Sequence, residues 1–212
     1  MNINDVTPEM LAEYDAHMAR QFNVMIVNKS DVPLMEAIGT GFEIARTLGA
    51  KLPTAKEWME NYWTMFGPLL VRPKKLPTDP LTRVRIMAHE CQHGEQFHSG
   101  DKELAQIDKH VAFAWLYLTS QEARWRLELW AIRAEMEVHY ALTGGFPSMA
   151  DVSRMVEGGY ALDAAYRPTH ESAIASFGAQ LQNDGLILTP AGRAAIQWCA
   201  NNNIDIVGRV RT

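Results

Sequence analysis

Cysteine is scarce: Cys91 and Cys199 are the two in 212 residues, too few for a disulfide framework. A reducing compartment is the simpler expectation. No uninterrupted apolar stretch approaches the roughly 20 residues that cross a bilayer, and Met1-Asn2-Ile3-Asn4-Asp5 lacks the basic region and apolar run of a secretory signal. These absences predict a cytoplasmic protein with no membrane partner. A basic excess is missing too. The formal net charge of −5 and the pI near 5.8 argue against nucleic acid as the main partner, because a polyanion does not attract net negative charge. With 47% hydrophobic and 21% charged residues, and no repeat or low-complexity tract, the chain reads as one globular domain or a core with a small appendage.

What is present is a single dense motif, His89-Glu90-Cys91-Gln92-His93. Two histidines four positions apart stack on one helical face, so their imidazoles can converge on one ion. Glu90 lies between them, where its carboxylate can reach a water held by that ion and act as general base. The competing reading is a buried histidine pair, with Glu90 paired to an arginine such as Arg85.

Helix signals surround this motif. Thr7-Pro8-Glu9 predicts a helix over about Pro8 to Gln21, and Phe22 to Val27 a strand or extended connector. Val32 to Leu48 has helical periodicity interrupted by Gly39 and Gly41. Thr54 and Glu57 have capping-box spacing ahead of a short helix with Trp58, Tyr62 and Trp63, aromatics expected in the core. Phe66 to Pro73 reads as a strand whose flanking prolines favour an edge or an end. Asp79-Pro80 opens the motif helix, which Ser99-Gly100 should close. On its wheel Leu81, Val84, Ala88 and Cys91 share one apolar face, and the histidines lie opposite with Ile86 and Phe97. A second apolar helix spans Leu104 to Leu118. Thr119 with Glu122 then suggests a helix running to Thr143-Gly144-Gly145. Beyond Pro147, Ser148 with Asp151 suggests another helix start before the break at Gly158-Gly159. Helices over about Glu171 to Gln182 and Ala191 to Ala200, with a short strand at Leu186 to Leu188, complete the reading. The fold class expected is α+β, mainly helical, with a short edge strand or small sheet beside the motif helix.

A catalytic zinc takes three protein ligands and leaves one position open. After His93, Gln96 and Ser99 stand where a glycine and a third histidine would complete the longer histidine motif, which excludes that arrangement. A glutamate from the helix after Thr119 is the alternative. Glu128 and Glu135, seven apart, occupy nearly the same angular position, and spacing does not separate them; Glu137 projects elsewhere.

His89-Glu90-x-x-His93 followed by Glu128-Leu129-Trp130-Ala131 resembles the gluzincin group of zinc metallopeptidases. With the preceding Gly67-Pro68-Leu69-Leu70-Val71, it is similar to small bacterial and phage-encoded peptidases of that kind. The likeness covers about Thr64 to Leu142. It implies a zincin-like core over 1–147, with 148–212 a helical C-terminal portion of the same domain or outside it. It also implies Zn²⁺ held by His89, His93 and Glu128, the last favoured because Ala131 one turn on lets two helices approach. Glu90 would be the catalytic base, and a peptide or protein the substrate. Glu95 departs from the pattern, which usually has an apolar residue there. Oxyanion donors could come from His139, Tyr140, Tyr160, Tyr166 or His170, and no spacing selects one. The rival expectation is a phage-related structural or adaptor protein that keeps zinc without turnover. A deformylase would need a cysteine ligand upstream of the motif, and none precedes Cys91.

Overall fold

The computed structural model describes residues 1–47, 54–99, 120–147 and 167–211. Within them the protein is mainly helical, with one small mixed sheet. The expected helix over Leu104 to Leu118, the start at Ser148, the break at Gly158-Gly159 and the positions of Tyr160 and Tyr166 lie outside the described residues.

Helix α1 (Pro8–Gln21) begins where expected: Thr7 accepts from the Met10 amide through Oγ1 at 3.3 Å, and Pro8 occupies the first turn. Its buried side, Leu11, Tyr14 and Met18, faces the core. Strand β1 (Met25–Asn28) follows, then α2 (Pro33–Thr47) and α3 (Ala55–Asn61). Gly39 and Gly41 do not interrupt α2. At Gly39 the missing side chain lets α3 approach: a Cβ there would lie 3.3 Å from that of Ala55. The capping box of Thr54 and Glu57 is formed, and Trp58 and Trp63 are buried.

The stretch expected as one edge strand is a hairpin. β2 (Thr64–Phe66) turns at Gly67, whose φ of 57° suits glycine, into β3 (Leu69–Arg72). The strand order is β1-β3-β2, with β1 parallel and β2 antiparallel to β3. The Leu69–Arg72 strand is therefore central. Its prolines fall in the turn before it and just after its end, where neither removes a ladder hydrogen bond. The edge beside the motif helix is β2.

That motif helix, α4 (Pro80–Ser99), is capped by Asp79, whose Oδ2 accepts from the Thr82 amide at 2.8 Å. Val84, Ala88 and Cys91 enter the main core with α1, while His89, Glu90 and His93 are buried on other sides. α5 (Gln121–Thr143) starts one residue later than its expected cap: Ser120 is the N-cap and accepts from the Ala123 amide at 3.1 Å. Gly144, with φ of 73°, closes it. α6 (Arg167–Asp184) and α7 (Pro190–Asn201) complete the described helices. Ala191, Ala195 and Trp198 of α7 share the main core with α1, α4 and α5. The expected strand at Leu186 to Leu188 reduces to an isolated bridge between Leu186 and Arg211. Among the described residues no helix is long and apolar enough to cross a membrane.

Candidate metal centre

α4 and α5 lie side by side and run antiparallel, since Arg85 and His89 meet Glu135 while Gln96 meets Leu127. Their facing sides carry five of the chain's ionisable groups out of water. His89, Glu90, His93, Glu128 and Glu135 are each under a tenth exposed. Buried charges survive only when they are paired or hold an ion.

The Nε2 atoms of His89 and His93 lie 3.3 and 3.4 Å from one oxygen, Oε2 of Glu128. The three donor atoms fall within 4.8 Å of one another. Those separations discriminate between two explanations. A charge-assisted N–H···O hydrogen bond is about 2.7–2.9 Å long. A tetrahedral ion with ligand bonds of about 2.0–2.1 Å separates its donors by about 3.3–3.4 Å. The two distances to Glu128 Oε2 are longer than such a hydrogen bond and match the donor spacing that an ion would impose, so the group could hold one. The donor set, two imidazoles and one carboxylate, is also one that zinc takes.

The other nitrogen of each imidazole faces an acceptor oxygen on α4 or α5. His89 Nδ1 lies 3.5 Å from Glu135 Oε2, and His93 Nδ1 lies 3.0 Å from Gln96 Oε1. Glu135 is held in turn by Arg85 Nη2 at 2.5 Å, and Gln96 Nε2 donates to the Leu127 carbonyl at 3.0 Å. Arg85 therefore pairs with Glu135, not with Glu90. Glu137 points away from the cluster: it accepts from the amides of Leu188 and Thr189, and from Arg133, and so holds the start of α7.

Electrostatics at this site follow from burial and from the charges beside each group. Burial opposes charge on His89, but Glu128, Glu135 and Glu90 outweigh it and raise its pKa. Burial likewise resists ionisation of Glu128, and His93 with His89 overcomes it, holding that carboxyl well below the usual range. Glu90 goes the other way. Burial pushes its pKa up and Glu128 adds to this, against the pull of His89, His93 and Lys29. An elevated carboxyl is what a general base working near neutrality requires.

Comparison with protein-family models finds no match, and no curated protein or solved structure matches either. The geometry is the whole warrant.

Three of the sequence-derived candidates, His89, His93 and Glu128, are brought together, with Glu90 on the same turn of α4. The candidate oxyanion donors fare differently. Tyr140 is stacked on Phe146 at 4.8 Å in a second core, and His170 lies flat on Trp125 at 3.5 Å, one turn before Glu128. Glu95, the departure from the resemblance, is half-buried, and its carbonyl accepts from the Ser99 hydroxyl. Sequence reasoning missed Gln96 and Lys29. Gln96 sits three residues after His93, a spacing that places it on the same face; Lys29 gave no signal beyond a polar turn.

Proposed function

We propose that the chain is a zinc-dependent peptidase of the gluzincin type, with His89, His93 and Glu128 as metal ligands and Glu90 as general base. The observation that carries this is the convergence of three buried donor atoms within 4.8 Å of one another, with a buried carboxylate next in sequence to the first of them. Zinc, when bound, supplies Lewis-acid polarisation of a carbonyl and lowers the pKa of a water toward neutrality. His89 and His93 would hold it through Nε2 and Glu128 through Oε2, the atoms that converge. The walls of α4 and α5 exclude bulk water, which strengthens each charge inside. The Glu90 carboxylate takes a proton from the attacking water and returns it to the amine nitrogen of the leaving fragment.

Glu90→Gln separates chemistry from binding. It keeps the shape of the side chain and removes its basicity, so zinc content should stay at one per chain while cleavage of an unstructured protein falls about 10²–10⁴-fold. Equal cleavage by the two proteins would sink the mechanism. The depth of all four groups favours one rival, a closed zinc site in a structural or adaptor protein, phage-related in its resemblance. Full zinc occupancy with no hydrolysis of any peptide pool would decide for that rival.

A further inference from the structure

Each imidazole offers an ion one nitrogen, and which one depends on what holds the other. At His93 the hydrogen bonds fix the answer. Gln96 Nε2 donates to the Leu127 carbonyl, so its Oε1 is the atom that faces His93 Nδ1 at 3.0 Å and can only accept. His93 Nδ1 must then carry the proton, which leaves the Nε2 lone pair free to bind. At His89 the partner is Glu135, whose Oε2 faces Nδ1 at 3.5 Å while Oε1 takes the Arg85 guanidinium. One oxygen is held by the guanidinium and the other faces the ring. Glu135 also stands on the opposite edge of the ring from Glu128, which faces Nε2 at 3.3 Å, so one ion at Nε2 does not reach both carboxylates.

We infer that Glu135 and Gln96 are positioning residues that set the tautomers of His89 and His93, and that Arg85 commits Glu135 to this role instead of to metal ligation. This rests on the zinc reading of the site. The two grips differ in kind. His89 is held by a charged carboxylate drawn from α5, and His93 by a neutral amide on its own helix anchored to the α5 backbone. The carboxylate makes His89 the more basic ligand, and Arg85 balances the charge this places in the interior.

The test measures zinc affinity by chelator competition, together with the imidazole Nδ1–H resonances of the zinc-loaded protein labelled with ¹⁵N-histidine. Glu135→Ala and Gln96→Ala should each weaken zinc about 10–100-fold yet still saturate at one per chain. Each should shift the Nδ1–H resonance of its own histidine and leave the other in place. Glu135→Gln, which keeps an acceptor oxygen and is the gentler change for folding, should restore most of the affinity. Arg85→Met should weaken zinc in the wild-type background and have little effect beside Glu135→Gln.

Unchanged affinity in both alanine variants would overturn the inference, as would resonances that move together, the sign of general loosening. Loss of stoichiometric zinc in Glu135→Ala with retention in Glu128→Ala would make Glu135 the ligand and overturn it as well. Wild type that binds no zinc would overturn the zinc reading itself, and with it this one. The first three results leave a zinc protein standing, so the two failures are distinguishable.

Discussion

Lys29 is the least expected residue in the interior. Its amine donates to the Trp58 and Tyr62 carbonyls, at 2.6 Å each, and lies 3.8 Å from the centroid of the Trp58 ring. It thereby closes the C-terminal end of α3. Burial lowers its pKa to about 7, with Glu90 opposing. In the unfolded chain a lysine titrates at about 10.4, so between about 7 and 10.4 the unfolded state binds more protons and stability rises with pH. Wild type should therefore gain on Lys29→Met across that window, read from urea midpoints at several pH values. A gap that stays constant with pH would contradict the buried amine. The site was unevenly legible at this scale. His89, Glu90 and His93 announce themselves because helical spacing alone puts the imidazoles together. Glu128 and Glu135 do not separate by sequence, since residues seven apart share an angle and their roles depend on how α5 is set against α4. Lys29 has no periodicity, and its partners lie about 30 residues away in sequence.

Among elements, the contact of α4 with the sheet is a tight fit. A Cβ on Gly94 would come within 2.9 Å of both Met65 Cε and Val24 Cγ1. Glycine inside a long helix costs up to about 1 kcal/mol relative to alanine, a loss the close approach explains. Gly94→Val should force the β2 edge and the segment before β1 away from the helix. The cost should be about 1–3 kcal/mol, measured as a fall in urea midpoint at unchanged m-value. Helices were more legible than strands for a physical reason. Caps such as Thr7 and Asp79 act on their own next turn, so their sequence neighbours reveal them. β1 and β3 pair across more than 40 residues in parallel, a partnership no local pattern encodes. The Gly67-Pro68 turn was hidden inside what looked like one apolar run.

For the molecule as a whole, α4 is the shared wall. Val84, Ala88 and Cys91 pack into the core with α1 and α7, and its opposite side faces α5. An ion bound there ties α4 to α5 only when both are docked, so it stabilises the folded chain by mass action. Free zinc at about a thousand times its dissociation constant adds about 4 kcal/mol, or roughly 10 °C in Tm for a chain of this size. Chelation should remove that increment from wild type and leave Glu128→Ala unmoved; equal shifts in both would place the zinc elsewhere.

Because the helices run antiparallel, every grip on one has its counterpart displaced the opposite way on the other. Arg85 and His89 answer to Glu135, and His93 and Gln96 to Glu128 and Leu127. Written as text, the site becomes a string: R-x-x-x-H-E-x-x-H-x-x-Q, then after an interval E-x-x-x-x-x-x-E. Kin too diverged for whole-chain comparison would still be recognisable by it. A lineage that loses the second glutamate loses its reason to keep the arginine.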